Sequence, residues 1–258
     1  MAVTTDEAQF DALIKAKKAR KMGLSSVPNW QSMKEPIWIM HEVEQYYLPY
    51  LFTVPEFQDK LQQWFPSRNV ATVITRYLLH PSNEIWEDIL DSFGRKNLLD
   101  YAVGLQIRWH GMSIDSALKC FDHQLGDEGT HFFLASLYSN LKDDLHARNP
   151  RWELTQKYQE GHEEHVDGQT HHALHDMWLM SMTDETVVSA HSTFGYLAMA
   201  IKGETCKMLS ETAPFPCYYP ASHEPCFHLA TRLIKEKDVK PDLLIECEDF
   251  KGGLKLAL

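Results

Sequence analysis

Long apolar runs are missing from this sequence. No stretch of about 18 consecutive apolar residues occurs, which is the length that a membrane-spanning helix needs. The first residues carry charge without an apolar core behind it, so no secretory signal is predicted there. Basic residues are in the minority, because 25 Lys and Arg stand against 36 Asp and Glu, and the formal net charge is −11. That balance argues against a protein that binds nucleic acid through clustered cations.

Several catalytic signatures are absent as well. The sequence has no Walker loop, no G-x-G-x-x-G turn and no nucleophile elbow, which disfavours NTPases, dinucleotide-binding enzymes and serine hydrolases. None of its 5 cysteines forms a C-x-x-C pair, so a zinc site built from thiolates is not expected. Cys217 and Cys226 lie in a Pro-rich segment, where their spacing permits either a bridge between them or two free thiols.

Short apolar runs that alternate with amphipathic runs dominate the middle of the chain. Strands are predicted at residues 101–107, 131–138, 152–157, 186–190 and 207–210, and helices between them at 113–125, 141–148, 170–182 and 194–201. Such alternation implies right-handed crossovers between parallel strands. The sequence therefore predicts an α/β fold, with a Rossmann-like parallel sheet that has helices on both faces. From Pro214 on, frequent prolines predict an irregular C-terminal layer.

The first 36 residues have a different character. Residues 5–22 combine a thin apolar stripe with a cluster of Lys and Arg, which is typical of an exposed helix. Residues 23–36 are rich in Gly, Ser and Pro and are predicted to be a linker. A short buried strand is predicted at residues 37–40. We therefore expect an N-terminal helix and linker over residues 1–36 and one ligand-binding domain over residues 37–258.

Two hydroxyls and a glycine follow the strand predicted at 186–190. Ser192 and Thr193 precede Phe194 and Gly195 at the start of the next helix. A helix N-terminus offers unpaired N–H groups and the positive end of the helix dipole, which suits a diphosphate. Because Ser and Thr are also ordinary helix caps, the spacing by itself leaves a phosphate site and a plain cap both open.

Arg108 follows the strand predicted at 101–107. In open α/β sheets, ligands bind at the carboxyl ends of strands, and a guanidinium pairs with two phosphate oxygens at once. A surface arginine without a ligand is the alternative. The arginine and the turn at 192–195 both lie at strand ends of the same predicted sheet, so each strengthens the interpretation of the other.

Histidines and carboxylates form two further candidates. His171 and His175 are one helical turn apart, so they share a face and could hold a metal ion. Near the C-terminus, Glu246, Glu248 and Asp249 could do acid–base work or be ordinary loop residues. The whole histidine cluster consists of His162, His165, His171, His172 and His175. Its composition favours a solvated polar segment over a metal site.

Five segments carry a family resemblance. They are residues 76–86 (R-Y-L-L-H-P-S-N-E-I-W), 104–108 (G-L-Q-I-R), 189–196 (S-A-H-S-T-F-G-Y), 224–228 (E-P-C-F-H) and 247–256 (C-E-D-F-K-G-G-L-K-L). In this order they resemble motifs of the plant xyloglucan fucosyltransferase family. Each motif alone is weakly specific, whereas five in the family's order are strongly specific. The resemblance covers residues 37–258.

The resemblance implies an inverting transfer of fucose from GDP-fucose to a galactose residue of a cell-wall glycan. It implies one lobe of a two-lobed glycosyltransferase, in which Arg108 is catalytic and neutralises the diphosphate. Ser192, Thr193, Phe194 and Gly195 would cradle that diphosphate. No metal or other cofactor is implied, because the arginine and the helix amides supply positive charge. The resemblance also favours the bridge between Cys217 and Cys226.

The same resemblance implies partners and a compartment. They are GDP-fucose, a galactose-bearing polysaccharide or glycoprotein glycan, no nucleic acid, and the Golgi lumen, with membrane association only through an anchor outside this sequence. The family's G-x-G-N-R segment of the acceptor lobe is not found here. Three hypotheses therefore stay open. The first is a fucosyltransferase, either active or impaired in transfer, and the second is a non-catalytic module that binds nucleotide sugar or regulates. The third is a metal-binding protein built on the histidine cluster.

Overall fold

The computed structural model describes most of the chain from residue 46 on and two short strands before it. The described residues are 19–22, 37–40, 46–95, 101–108, 117–120, 131–138, 140–150, 152–156, 169–209, 216–234 and 239–258. Among them, no helix combines the length and the apolar character that crossing a membrane requires.

Short strands and helices make up the described residues. The strands are β1 Ala19–Met22, β2 Ile37–Met40, β3 Ala102–Gln106, β4 His131–Ala135, β5 Glu153–Thr155, β6 Glu185–Ser189, β7 Lys207–Leu209, β8 Cys217–Tyr218, β9 Leu244–Glu246 and β10 Leu254–Leu256. The helices are α1 Leu48–Leu51, α2 Pro55–Trp64, α3 Val70–Leu78, α4 Asn83–Arg95, α5 Leu141–Arg148, α6 Gln169–Ser181, α7 Thr193–Lys202 and α8 Ala230–Leu233.

The largest sheet has six strands in the order β5-β4-β3-β6-β7-β8. All neighbours in it are parallel except β7 and β8. From β3 the chain adds β4 and β5 on one side, and then returns to add β6 and β7 on the other side. The strand order therefore reverses between β3 and β6, which is where open α/β sheets bind their ligands.

Both faces of this sheet are covered. Successive residues of a strand point to opposite faces, so β4 contributes to two separate apolar clusters. Phe132 and Leu134 pack in the cluster that contains Leu141 of α5. Phe133 packs in the cluster that contains Leu179 of α6. The predicted parallel sheet with helices on both faces is thereby confirmed.

The layer after Pro214 contains regular pieces between its irregular connections. β8 extends the large sheet, and β9 and β10 form an antiparallel pair. Phe227 and Leu256 of this layer pack in a third apolar cluster with Phe52 and Val70. The C-terminal layer therefore covers the helices α1 to α3 rather than ending as a free tail.

The helix predicted over residues 5–22 is wrong for residues 19–22, which form β1. This strand pairs in parallel with β2, with Ala19 opposite Ile37 and Met22 opposite Met40. Backbone hydrogen bonds to a second strand outweigh a weak local preference for helix. Residues 5–18 and the linker predicted at 23–36 lie outside the described residues. The domain boundary at residue 36 stays a prediction, and the pairing of β1 with β2 runs across it.

Candidate functional site

Arg108 follows the end of β3, at the point where the strand order reverses. Its side chain is exposed, and its guanidinium has no hydrogen bond or ion pair with any residue in the described part of the chain. Its backbone amide donates to the Ser189 hydroxyl over 2.8 Å. The backbone of this residue is therefore fixed, while its permanent positive charge remains available for an anion.

A tight turn connects β6 to α7. His191 has a φ of 58°, in the left-handed region that residues other than glycine seldom adopt. Ser192 is the N-cap of α7, and its hydroxyl accepts from the Gly195 amide over 3.4 Å. Because β6 and β3 are parallel neighbours, the N-terminus of α7 and Arg108 lie at the same edge of the sheet.

The four residues predicted to cradle a phosphate differ in exposure. Ser192 is 1% exposed, and a Cβ added at Gly195 would come within 2.8 Å of the Val188 Cβ atom. These two residues therefore shape the start of the helix and its packing on β6. Thr193 is exposed and Phe194 is partly exposed, and the first amides of a helix have no partner within it. Their two amides are the donors that the turn offers to an anion.

Asp249 reaches the same turn from the C-terminal layer. Its carboxylate accepts from the His191 amide over 3.1 Å and from the Tyr196 hydroxyl. Burial first, and the Asp249 carboxylate second, raise the pKa of Tyr196 well above its ordinary value, so its hydroxyl remains a donor. The sequence alone left two roles open for Asp249, either an acid–base group or an ordinary polar loop residue. No local signal could have placed it here, because the contact joins residues 58 positions apart.

Aromatic rings pack against one another beside Asp249. The rings of His228 and Phe250 lie 4.6 Å apart, and the ring of His191 meets Phe250 edge-on at 6.0 Å. Burial lowers the pKa of His228, and this effect exceeds the opposite effect of the Asp249 charge. A neutral imidazole is therefore favoured at neutral pH, so His228 adds no positive charge beside Asp249.

The disulfide predicted between Cys217 and Cys226 is wrong. Cys217 is bonded to Cys120, with Cα atoms 5.5 Å apart, and Cys226 to Cys247, with Cα atoms 5.9 Å apart. Cys217 packs in the apolar cluster of Cys120, whereas Cys226 belongs with Cys247 to the cluster on the other face of the sheet. The sheet therefore separates the two cysteines whose pairing the family resemblance favoured. The fifth cysteine, Cys206, is a buried free thiol.

The histidine cluster gains no support as a metal site from the described residues. His162 and His165 lie outside them. His175 is fully buried, and its Nδ1 atom lies 2.9 Å from a carboxylate oxygen of Asp176. Neither His171 nor His175 belongs to a described group of three ligands close enough to share an ion.

One group in the described ranges does bring three possible metal ligands within 4.8 Å of one another: Cys226, Cys247 and Asp249. Its two sulfur atoms are joined in a disulfide, and a metal site would require them as thiolates. The bond instead fixes Cys247 two positions before Asp249. It thereby anchors the segment whose carboxylate contacts the turn at His191.

The sequence matches one family model and several curated proteins. The family model described as xyloglucan fucosyltransferase matches residues 28–127 and 145–233. Probable fucosyltransferase 9 of Arabidopsis thaliana is 30% identical over 230 residues, which cover 85% of this chain and 47% of that protein. Galactoside 2-alpha-L-fucosyltransferase of Pisum sativum is 31% identical in an alignment 269 positions long, which covers 86% of this chain and 47% of that protein. The chain thus spans about half the length of the curated relatives it matches.

A solved structure has a similar fold. A mutant of Arabidopsis thaliana FUT1 in complex with GDP superposes with a TM-score of 0.74. The match covers 99% of this chain and 71% of that chain, at 22% sequence identity. At this identity the likeness shows that the two chains share their fold.

Proposed function

Because the chain belongs to the xyloglucan fucosyltransferase family, we propose that it binds GDP-fucose and transfers the fucosyl group to a galactose residue of a cell-wall glycan. One observation carries the proposal. Arg108 and the N-terminus of α7 lie at the carboxyl ends of two parallel neighbours, where the strand order reverses. A diphosphate fits this edge, since one side offers a guanidinium and the other offers unpaired helix amides.

In this proposal the described residues act on the leaving group. Transfer breaks the bond between fucose C1 and the terminal phosphate oxygen of GDP, and the electron pair of that bond stays on the diphosphate. Arg108 and the amides of Thr193 and Phe194 stabilise the charge that grows there. The galactose hydroxyl attacks C1 from the opposite face, so the configuration at C1 inverts, and its proton leaves to solvent or to a base. Because these groups supply positive charge, we propose that no metal ion takes part.

The C-terminal layer holds the turn in this arrangement. Asp249 accepts from the His191 amide, at the residue whose backbone is left-handed. The Cys226–Cys247 disulfide in turn anchors the segment that carries Asp249. We assign these groups a supporting role, because the oxygen that accepts from both His191 and Tyr196 is engaged within the protein.

An oxidising compartment suits this chain, and the Golgi lumen is the compartment that we propose. Both disulfides join residues far apart in sequence, at separations of 97 and 21. Such bonds persist in the secretory pathway and are rare in the cytosol. A galactose-bearing polysaccharide or glycoprotein glycan would meet the enzyme there.

Calorimetric titration of the intact chain with GDP tests the binding part of the proposal. GMP is the matched ligand, since it keeps the nucleoside and lacks the second phosphate. We expect GDP to bind at least about tenfold more tightly, which corresponds to about 1.4 kcal/mol for the extra phosphate contacts. Equal affinity for the two nucleotides, or no GDP binding, would contradict a diphosphate site.

Incubation with GDP-fucose and a galactose-bearing xyloglucan oligosaccharide tests the transfer. A product that has gained one fucose, together with released GDP, supports the enzyme. GDP binding without any fucosylated product instead supports the second hypothesis, a module that binds nucleotide sugar without catalysis. Stoichiometric zinc in the purified protein would instead support the third hypothesis, a metal-binding protein built on the histidine cluster.

A further inference from the structure

We infer that Ser189 and Gln106 are positioning residues that fix Arg108 relative to the N-terminus of α7, and so set the span of the diphosphate site. The inference rests on the proposed function and deepens it. Both side chains are buried, with Gln106 5% and Ser189 1% exposed, so they act on a ligand only through their neighbours.

At the carboxyl ends of β3 and β6, side chains make hydrogen bonds that take the place of backbone pairing between the two strands. The paired register of β3 with β6 ends at Leu105 and Val187. Beyond it, the Gln106 Oε1 atom accepts from the Ser189 amide over 3.0 Å, and the Ser189 hydroxyl donates to the Gln106 carbonyl over 3.2 Å. The same hydroxyl accepts from the Arg108 amide over 2.8 Å. A single oxygen atom therefore joins the end of β6 to the backbone of Arg108.

This polar network sits in a strand that is otherwise apolar. The other residues of β3 are Ala102, Val103, Gly104 and Leu105, and all of them are buried. An apolar residue would fill the position of Gln106 without the cost of burying an amide group. The side-chain oxygen of Gln106 is satisfied because it accepts from the Ser189 backbone amide where β6 ends. Such an arrangement fixes the geometry of that edge, since an unmade bond there leaves a buried group without a partner.

The network reaches both halves of the proposed diphosphate site. On the helix side, a Cβ added at Gly195 would lie 3.1 Å from the Gln106 Oε1 atom, so this amide packs against the first turn of α7. On the strand side, Ile107 is tied to β4, because its amide donates to the Ala135 carbonyl over 3.2 Å and its carbonyl accepts from the Ser136 hydroxyl over 3.0 Å. Removal of the Ser189 hydroxyl therefore frees Arg108 from β6 while β4 still holds the end of β3.

Thr186 offers a matched control in the same strand. It is 1% exposed, and its hydroxyl donates to the Met180 carbonyl over 3.0 Å. This bond lies toward the start of β6, away from Arg108. Thr186→Val thus removes a buried hydroxyl of comparable kind, and it leaves the end of the strand unchanged.

The test compares Ser189→Ala, Gln106→Met and Thr186→Val by GDP and GMP calorimetry and by urea unfolding. We expect all three variants to lose stability. Ser189→Ala and Gln106→Met should weaken GDP binding about tenfold and GMP binding by at most about twofold, because only the two-phosphate span is disturbed. Thr186→Val should bind both nucleotides as the wild type does. If Gln106→Met does not fold, Ser189→Ala, which deletes one oxygen atom, decides the test.

A double-mutant cycle with Arg108→Ala separates positioning from a general structural role. We expect Ser189→Ala to cause no further loss of GDP affinity in the Arg108→Ala background, because the group that it positions is already gone. An undiminished loss in that background, equal losses of GDP and GMP affinity, or wild-type GDP affinity in Ser189→Ala each overturn the inference. A wild type that binds no GDP overturns the proposed function as well, so the two failures are distinguishable.

Discussion

Arg108 and Asp249 bring opposite charges to one edge of the sheet, and their surroundings give them different tasks. The Arg108 guanidinium is exposed and is unpaired with respect to the described residues. The Asp249 carboxylate accepts from the His191 amide and from the Tyr196 hydroxyl. In the proposed site, a diphosphate would therefore meet a cation that is free to pair and a carboxylate oxygen that is already engaged within the protein.

Loss of the Arg108 side chain should weaken GDP binding most among single changes at this edge. We expect Arg108→Ala to cost about 1.5–3 kcal/mol, the usual range for a hydrogen bond to a charged group. Arg108→Lys keeps the charge and loses the two-pronged geometry, so its affinity should fall between those of the wild type and the alanine variant. Calorimetry measures all three. An alanine variant with wild-type affinity would contradict the site.

Asp249 supports the turn through two donors, and the two can be separated. Asp249→Ala leaves both the His191 amide and the Tyr196 hydroxyl without their acceptor, whereas Tyr196→Phe removes only the hydroxyl. We expect Asp249→Ala to lower the free energy of unfolding by about 1–3 kcal/mol and Tyr196→Phe by less. Urea unfolding gives both values. The reverse order of the two losses would show that the His191 contact contributes nothing.

Arg76, which lies on α3 and begins the first family motif, connects α3 to the C-terminal end of α7. The Arg76 guanidinium donates to the carbonyls of Ile201 and Lys202, over 2.7 and 2.8 Å. These carbonyls lie in the last turn of α7, where the negative end of the helix dipole favours a cation. Gly203 then ends the helix with a φ of 78°. The helix whose N-terminus we assign to the diphosphate is therefore fixed at its other end by α3.

Arg76→Ala should loosen this connection without touching the proposed ligand. We expect a loss of about 1 kcal/mol in the free energy of unfolding, since the bonds are charge-assisted but partly exposed to solvent. Lys60→Ala, which removes an exposed cation of α2, is the control and should change stability by less than about 0.5 kcal/mol. Equal effects of the two variants in urea unfolding would show that Arg76 is an ordinary surface residue.

Glu224 caps α3 from the C-terminal layer. Its Oε1 atom accepts from the Ala71 amide over 2.7 Å, and its Oε2 atom accepts from the Tyr46 hydroxyl over 2.5 Å. Burial raises the pKa of this carboxyl above its ordinary value of 4.5, an effect larger than the opposing effect of these hydrogen bonds. The proton on Glu224 is therefore held more tightly in the folded chain than in the unfolded chain.

Stability should consequently depend on pH in a direction opposite to that of most carboxylates. A raised folded pKa contributes stability that is complete below the ordinary value of 4.5 and is lost as the pH rises through the folded value. Glu224→Gln removes this titration. The unfolding free energy of the wild type minus that of the variant should therefore fall between pH 4.5 and neutrality. A difference that rises over this interval would show that the hydrogen bonds outweigh burial.

Two disulfides connect parts of the molecule that lie far apart along the chain. The Cys120–Cys217 bond closes a separation of 97 residues, and the Cys226–Cys247 bond one of 21 residues. By chain entropy, the first contributes up to about 4.7 kcal/mol and the second up to about 3.3 kcal/mol. Paired Cys→Ala variants should therefore lose more stability for Cys120–Cys217 in urea unfolding. Peptide mapping without reduction checks the pairing, and a peptide that joins Cys217 to Cys226 would contradict it.

The strands and helices around the site could be predicted because their signals lie in neighbouring residues. β3 and β4 are buried and mostly apolar, which is the pattern of parallel strands with both faces covered. β6 is marked instead by the β-branched residues Thr186, Val187 and Val188. The start of α7 is marked by the Ser192 cap. β1 escaped prediction because its strand character depends on pairing with β2 across a long segment.

The sequence by itself determined the α/β class, the strand ends that carry Arg108 and the turn at Ser192, and the family resemblance. Periodicity, caps and short motifs extend over a few residues, so they can be read without a fold. The tertiary structure decided that β3 and β6 are neighbours, that Asp249 contacts the turn, and that Cys217 and Cys226 have other partners. These outcomes follow from the order of the strands and from which face of the sheet a residue reaches. No short stretch of the chain contains that information, because it arises only when distant segments pack together.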